Sequence, residues 1–366
     1  MDPVRVGVVG CGMISAIYLK NCTRTFENLD VVACADLQPE LARSRAQEFG
    51  VPRACTVEEL LADPAVEAVL NLTSPAAHTA VNLRALEAGK HVYAEKPFAL
   101  AMDDADRVLA LAAEKGLRVG VAPDTFLGGG LQTCRALIDA GAIGTPYAAS
   151  GLILMGNVYD GMHPRFDTYL TLGWDPLFDM APYYLTALVF LLGPVRRVSG
   201  STGQLRREVT VTNPQSPRYG ETVPVAAPQN AAATLDFASG AIATLQAAKE
   251  SFGYTPRLEI YGTEGILYAP DPNMFGGPVR IKRPDGSVEE VALTHGYTEN
   301  SRGLGLADMA RAIRSGGAHR ASGDLARHVL EITLGVFESS RAGRHVEIGP
   351  PRALPDPLPP VPAPGA

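Results

Sequence analysis

The sequence predicts an α/β protein with an N-terminal doubly wound parallel sheet, followed by an α+β domain with a large, mostly antiparallel, open sheet. In the first third of the chain, strand-like and helix-like segments alternate, and the strands are apolar on both faces, as in a parallel sheet covered by helices. Beyond Val121 the strands become longer and more alternating, and turns separate them. The predicted domains are residues 1–122 and 123–348, with a proline-rich, extended or disordered tail at 349–366.

The N-terminal elements have clear start and stop signals. Pro39 stands in the first turn of a predicted helix, and Gly50, Gly89 and Gly116 follow predicted helix ends. The predicted strands are 4–9, 31–35, 66–72, 91–94 and 117–121, and the predicted helices are 14–20, 39–49, 56–61, 76–88 and 101–114. This order is that of a Rossmann-type half.

Two hairpin signals mark the C-terminal domain. The turns Ala238-Ser239-Gly240 and Pro284-Asp285-Gly286 each separate two strand-like segments. The predicted strands are 231–237, 241–247, 280–282 and 287–291, and the predicted helices are 131–140, the apolar stretch 183–193, 304–315 and 324–341. An antiparallel sheet with helices on one face accounts for this pattern.

Composition excludes several classes of function. The net charge is −7 and the basic residues are scattered, so we expect no nucleic-acid partner. The five cysteines are odd in number and lack metal-binding spacing, which favours a reduced, cytoplasmic protein without a metal site. The first strand begins almost at Met1 and no apolar run is long enough to span a bilayer, so we expect neither a signal peptide nor a membrane partner.

The stretch from Val4 to Ser15 predicts a turn that binds the phosphates of a dinucleotide. Gly10 permits a tight turn after the first strand, and Gly12 lets the backbone approach a pyrophosphate at the start of a helix. A glycine-rich turn without a ligand is the alternative. The second strand ends in Asp36, where an acid that binds the ribose is expected, and this favours the dinucleotide site. The predicted cofactor contacts of this part are Gly10, Gly12, Met13, Ile14 and Asp36.

Polar residues follow two further strands at the edge where ligands bind in an open α/β sheet. Thr73 and Ser74 follow the strand that ends near Leu72, with His78 on the next helix. Glu95-Lys96-Pro97 follows the strand 91–94, and a surface ion pair is the alternative for its two charges. We therefore predict that the cofactor is also contacted by Thr73, Ser74, His78, Glu95 and Lys96.

Together these motifs resemble the glucose–fructose oxidoreductase / inositol dehydrogenase / MocA family. Glu95-Lys96-Pro97 is the most specific of them, and the antiparallel second domain extends the likeness to about residue 345. The resemblance implies a pyridine-nucleotide dehydrogenase acting on sugars, polyols or related substrates, with Lys96 reaching both nicotinamide ribose and substrate. It also implies a homodimer or homotetramer formed through the outer face of the open sheet, which must be covered by something.

The acid at the end of the second strand favours NAD over NADP. A carboxylate at Asp36 repels a 2′-phosphate, and Leu37-Gln38 supplies no cation to bind one.

The catalytic segment departs from the family pattern, which reads aspartate, any residue, glycine, any residue, histidine. Asp179 matches the aspartate, but Tyr183 stands at the histidine position. A tyrosine needs a nearby cation to act as a base at neutral pH, and the resemblance implies that Lys96 lies across the same pocket. We therefore predict an acid/base pair of Tyr183 and Lys96, with Asp179 orienting or charging it.

Two other residues are candidates for the substrate site. His163 lies in a loop that could move it into the cleft, where it would replace the missing histidine. The alternative is an exposed loop histidine. Asp124, after the strand 117–121, is predicted to contact substrate, the alternative being a turn aspartate. A packed core tyrosine is the corresponding alternative for Tyr183.

The residues predict an NAD-dependent enzyme, and the resemblance implies that it is an oxidoreductase of sugars or polyols. One alternative retains NAD for a transient oxidation and catalyses net hydrolysis, elimination or epimerisation. The other is a non-catalytic protein that binds NAD or sugar, supported by the missing histidine.

Overall fold

The computed structural model describes residues 2–156, 160–162, 166–171, 173–351 and 353–359. They form two compact units. The first contains the chain up to Gly128 together with Tyr297–Leu330 and Pro351–Leu358, and the second contains Gly129–Gly296 and Glu331–Pro350. The chain therefore leaves the first unit after Gly128, returns to it at Tyr297, leaves it again after Leu330 and returns at Pro351.

The first unit is built on a six-stranded, all-parallel sheet. Its elements are β1 (Val4–Val9), α1 (Ser15–Arg24), β2 (Leu29–Ala35), α2 (Pro39–Phe49), β3 (Ala54–Cys55), α3 (Val57–Ala62), β4 (Ala68–Asn71), α4 (Pro75–Glu87), β5 (His91–Ala94), α5 (Met102–Glu114) and β6 (Val119–Val121). The strand order β3-β2-β1-β4-β5-β6 reverses direction between β1 and β4. The carboxyl ends of β1 and β4 therefore flank the point where such sheets bind their ligands.

The second unit contains a nine-stranded sheet and a small two-stranded one. The chain continues through α6 (Gly129–Asp139), β7 (Pro146–Gly156), α7 (Pro176–Asp179), α8 (Ala181–Leu192), β8 (Val195–Gly203), β9 (Glu208–Thr210), β10 (Thr222–Pro224), β11 (Asn230–Phe237), β12 (Ile242–Ser251), β13 (Thr255–Gly262), β14 (Gly265–Ala269), β15 (Val279–Lys282), β16 (Val288–Val291), α9 (Leu304–Ser315), α10 (Gly323–Ala342) and β17 (Val346–Glu347). Of these, α9 and the beginning of α10 belong to the first unit.

The predicted fold class is confirmed: a parallel Rossmann-type sheet accompanies a large, mostly antiparallel sheet. One pair, β7 with β12, is parallel within the larger sheet. Every residue of α8 is buried, as the apolar stretch at 183–193 predicted. Gly151 of β7 faces this helix, since a Cβ there would lie 3.3 Å from the ring of Tyr184.

None of the helices in the part of the chain that the structure describes is both long and apolar enough to cross a membrane.

Candidate functional site

A sharp turn at Gly10 joins β1 to α1. Gly10 has a φ of +101°, which side chains rarely adopt, and a Cβ there would lie 2.7 Å from the backbone of Leu72. Its N–H donates to the carbonyl of Ala35 over 2.9 Å. The turn is therefore held tightly between the ends of β2 and β4, and only glycine fits.

Asp36 is fastened to this turn from the end of β2. Its Oδ2 accepts a 2.7 Å hydrogen bond from the N–H of Cys11, and its Oδ1 accepts one of 2.9 Å from the N–H of Gln38. These bonds hold the half-buried carboxylate beside the glycine turn, where an acid that binds a ribose must lie.

The first turn of α1 can receive an anion. Among the described residues, the helix has no side-chain N-cap and no acidic residue in its first turn. The N–H groups of Ser15 and Ala16 make only long bonds, of 3.3 and 3.4 Å, to the carbonyls of Gly12 and Met13, so this turn can also donate to an anion. Large apolar side chains are exposed around this edge: Met13 is 63% exposed, Ile14 37% and Leu37 95%. An uncapped helix start beside an exposed apolar rim suits a ligand with a phosphate and an aromatic base.

A buried amide network shapes the end of β4. Asn71 Nδ2 donates to Asn82 Oδ1 over 2.7 Å and to the carbonyl of His78 over 3.2 Å. Asn71 Oδ1 accepts from both the N–H and the hydroxyl of Thr73, at 3.2 and 2.7 Å. The network determines the path of the chain through Thr73 into α4, where Ser74 is the N-cap residue.

His78 joins the two loops that follow β4 and β5. Its ring is fully buried, with Nδ1 2.7 Å from the carbonyl of Pro97 and Nε2 3.1 Å from that of Thr73. Burial lowers the pKa of the imidazole, while the two carbonyls oppose that shift. Its side chain therefore holds the two loops together and does not project into solvent.

Glu95 links β5 to α1. Its Oε1 accepts a 2.8 Å hydrogen bond from the hydroxyl of Tyr18, and its Oε2 accepts one of 2.9 Å from the N–H of Lys96. Burial, and then the charge of Glu95, raise the pKa of the Tyr18 phenol, which therefore stays protonated and donates. The half-buried Lys96 precedes Pro97 through a cis peptide bond.

Asp124 caps a helix. It is 1% exposed, and its Oδ2 accepts from the N–H groups of Gly303 and Gly305 over 2.9 and 3.0 Å at the start of α9. Burial raises the pKa of this carboxyl to about 6, although the two N–H bonds oppose the shift. The described contacts of the carboxylate are thus structural, and its contact with substrate stays a prediction.

A buried ion pair lies in the second unit. Lys249 Nζ, on β12, is 2.9 Å from Asp179 Oδ2 and donates to the carbonyl of Trp174. The Lys249 side chain is 1% exposed and that of Asp179 9%. Asp175 organises the same segment, because its side chain accepts from the N–H groups of Leu177 and Phe178 at the start of α7. The partner of Asp179 is therefore a lysine that the sequence analysis did not single out.

Tyr183 lies in the first turn of α8 and is 7% exposed. Tyr254 is a neighbour: burial, a hydrogen bond to Asp271 over 2.6 Å and a smaller contribution from Tyr183 raise the pKa of its phenol. The second unit therefore gathers phenols and a charged pair around α7 and α8. The other candidate, His163, lies outside the described residues.

Comparisons with known proteins agree with this architecture. Residues 4–122 match the model of an oxidoreductase family with an NAD-binding Rossmann fold, and residues 131–268 match that of the GFO/IDH/MocA C-terminal domain. The fold, the geometry of the site and the match to the two family models together define an enzyme of the oxidoreductase class with an NAD-binding Rossmann domain.

Two curated relatives and one solved structure illustrate the likeness. The chain is 31% identical over 346 residues to the dTDP-3,4-didehydro-2,6-dideoxy-alpha-D-glucose 3-reductase of Streptomyces violaceoruber, covering 90% of this chain and 93% of that protein. It is 23% identical over 268 residues to the myo-inositol 2-dehydrogenase of Thermotoga maritima, covering 73% and 75%. A levoglucosan dehydrogenase in complex with NADH shares the fold with a TM-score of 0.82 at 20% identity, covering 95% of this chain and 100% of the other. The chain belongs to the Gfo/Idh/MocA family of oxidoreductases.

Proposed function

We propose that this protein is an NAD-dependent dehydrogenase that transfers a hydride between nicotinamide and a carbinol carbon of a sugar, a polyol or a related compound. The observation that carries the proposal is the Gly10 turn with Asp36 bonded to it at the uncapped start of α1. The printed names of the two curated relatives, a deoxysugar reductase and an inositol dehydrogenase, support this substrate class.

The residues of the first unit fit a dinucleotide. Backbone N–H groups after Gly12 suit the pyrophosphate, since the N–H of Cys11 is bonded to Asp36, and the Asp36 carboxylate suits the hydroxyls of the adenosine ribose. Met13, Ile14 and the loop at Thr73 and Ser74 complete the predicted contacts. In our proposal His78 and Glu95 act through the loops they hold, since His78 is fully buried and Glu95 is 7% exposed.

The preference for NAD rests on Asp36. Its carboxylate would lie near the 2′-phosphate of NADP, and like charges in a partly buried site repel. We therefore propose NAD as the cofactor, with NADP bound less well.

Proton transfer is assigned to Tyr183. When bound, the nicotinamide supplies the hydride chemistry, and the protein must move the proton of the substrate hydroxyl. The phenol of an ordinary tyrosine has a pKa of about 10, so a cation must stabilise its anion. We propose that Lys96 does so and also binds substrate, while the ion pair with Lys249 positions Asp179 beside the start of α8.

The outer face of the nine-stranded sheet is proposed as the surface of a homodimer or homotetramer. Paired strands place Ser150, Thr234, Thr244 and Gln246 on one face, around an open depression of ≈770 Å³. Thr244 and Gln246 are exposed in a single chain.

A reducing compartment such as the cytoplasm is proposed because all five cysteines are free.

Turnover with a panel of sugars and polyols tests the proposal. The purified protein is mixed with NAD and each compound, and NADH is followed by its near-ultraviolet absorbance. We expect NADH to accumulate with at least one sugar or polyol. Substrate conversion with retained cofactor and no net NADH would instead favour transient oxidation, and NAD binding without conversion of any compound would favour a binding protein.

A further inference from the structure

Arg45 of α2 reaches the glycine turn from outside the motif. Its Nε donates to Ser15 Oγ over 3.2 Å, and its Nη2 lies 3.4 Å from the carbonyl oxygen of Gly12. Ser15 Oγ donates to the same carbonyl over 2.6 Å. The guanidinium also forms an ion pair with Glu48, one helical turn further on. The N–H of Ser15 donates to the Gly12 carbonyl as well, over 3.3 Å, so three donors converge on that carbonyl. Arg45 contacts both Gly12 and Ser15.

This arrangement determines the direction of the next N–H group. In a trans peptide the C=O of one residue and the N–H of the following residue point in opposite directions. Since Ser15 and Arg45 hold the Gly12 carbonyl within the protein, the Met13 N–H points the other way. Met13 is 63% exposed, so this N–H belongs to the open edge of the turn.

Arg45 also changes the charge beside the turn. Asp36 is bonded to Cys11 in the same turn, and its negative charge opposes the approach of a pyrophosphate. The Arg45 side chain is 23% exposed, so its charge is only partly screened by solvent. Glu48 balances part of this charge, and the remainder lies beside the turn, where Leu37-Gln38 supplies none.

We propose that Arg45 is a cofactor-positioning residue, which orients the Gly12–Met13 peptide and offsets the charge of Asp36 so that the turn binds the pyrophosphate of a dinucleotide. The proposal rests on the proposed NAD-dependent function. It deepens that function by naming a residue outside the glycine motif that sets cofactor affinity.

The test compares Arg45→Met with Arg43→Met, a matched change on the same helix at an exposed residue. The dissociation constant of NAD is measured by calorimetry at low and high salt. We expect Arg45→Met to raise it roughly tenfold at low salt, and less at high salt, because part of the loss is electrostatic. Arg43→Met should bind NAD as the unchanged protein does.

Steady-state kinetics separate positioning from a merely structural role. We expect Arg45→Met to raise the KM for NAD while kcat at saturating NAD and the melting temperature stay close to those of the unchanged protein. If Arg45→Met does not fold, Arg45→Lys gives the answer: it keeps the charge but loses the fork that reaches both Ser15 and Gly12, so we expect a severalfold weaker affinity for NAD.

Unchanged NAD affinity in Arg45→Met, or in Arg45→Lys where only that variant folds, would overturn the proposal. An equal loss in Arg43→Met would also overturn it, because any basic residue of the helix would then serve. Failure of the unchanged protein to bind NAD would instead reject the proposed function itself.

Discussion

Tyr183 occupies the position where the family pattern has histidine. A tyrosine hydroxyl can carry the same proton, but only if its surroundings stabilise the phenolate. We expect Tyr183→Phe to lower kcat by about 100-fold or more, the range for loss of a general acid or base, with little change in the dissociation constant of NAD. Steady-state kinetics with the best sugar of the panel, and calorimetry with NAD, measure the two quantities.

Tyr184→Phe is the matched control for that prediction. Tyr184 is the next residue of α8, and its buried hydroxyl has no hydrogen-bond partner among the described residues. Its removal should leave kcat within a few-fold of normal. Near-normal turnover in Tyr183→Phe would show that another group, such as His163, carries the proton.

Asp36 determines the preference between the two nicotinamide cofactors in our proposal. Asp36→Asn removes the charge but keeps an oxygen that can accept the N–H of Cys11. We expect NAD binding to weaken roughly tenfold while NADP binding improves or is unchanged, because repulsion of the 2′-phosphate is lost. Fluorescence titration with both reduced cofactors measures the ratio.

Asp30→Asn is the control, since Asp30 is an exposed acid at the other end of β2. Its cofactor ratio should equal that of the unchanged protein. Equal affinity of the unchanged protein for NAD and NADP would contradict the role given to Asp36.

Single residues were predictable where their role follows from local sequence. Gly10 was recognised because a glycine must end the first strand, and the structure gives it both a positive φ and a close backbone contact. Lys249 and Arg45 were not recognised. Lys249 meets Asp179 from a strand far along the chain, and Arg45 meets Ser15 from another helix, so no local pattern marks either.

At the scale of elements, the start of α9 depends on Asp124. Its carboxylate accepts two N–H groups there, yet burial raises its pKa to about 6 from an ordinary value of 3.8. A raised carboxyl pKa means that the folded protein holds the proton more tightly than the unfolded chain does. Stability that the proton provides is therefore present at low pH and is lost as the pH rises through about 6.

Asp124→Asn keeps an oxygen acceptor and cannot ionise. We expect its free energy of unfolding to rise relative to that of the unchanged protein by about 2 kcal/mol as the pH goes from about 4 to about 7. Urea unfolding at a series of pH values measures this difference. Asp103→Asn, at an exposed acid in the first turn of α5, should show no such trend, and a difference for Asp124→Asn that is flat with pH would refute the expectation.

Elements with strong end signals were predicted closely. The bounds of β1, α2, β5 and α9 are those expected from the sequence, because proline, glycine and apolar periodicity mark their ends. The two-residue strand β3 was not predicted, since so short a segment has no periodicity. The parallel pairing of β7 with β12 also has no local signal, because hairpin turns reveal only antiparallel neighbours.

At the scale of the whole molecule, the outer face of the large sheet predicts self-association. Thr244→Arg places a charge among the uncharged polar side chains of this face. We expect light scattering to show a dimer or tetramer for the unchanged protein and a smaller particle for Thr244→Arg, because a buried unpaired charge is costly.

Ser239→Arg, in the exposed turn between β11 and β12, should keep the normal mass. A monomeric mass for the unchanged protein would contradict the proposed assembly.

The division of the chain into units was only partly accessible to sequence reasoning. The domain boundary after β6 is visible in the sequence, because the strands beyond it are longer and alternate between apolar and polar residues. The return of the chain to the first unit at Tyr297 is not visible, since α9 looks like any other amphipathic helix in the sequence. Asp124 could not be assigned to the capping of α9 for the same reason.

The hydrogen bond between Tyr18 and Glu95 has a consequence for protein engineering. It joins the helix that begins at the glycine turn to the segment that carries Lys96. In our proposal these two segments hold the two ends of a dinucleotide, and they share one buried contact. A chimera that imports the Glu-Lys-Pro loop from a relative must therefore import a phenol-bearing first helix with it. Redesign of substrate specificity in this fold therefore has to exchange the first helix and the Glu-Lys-Pro loop together.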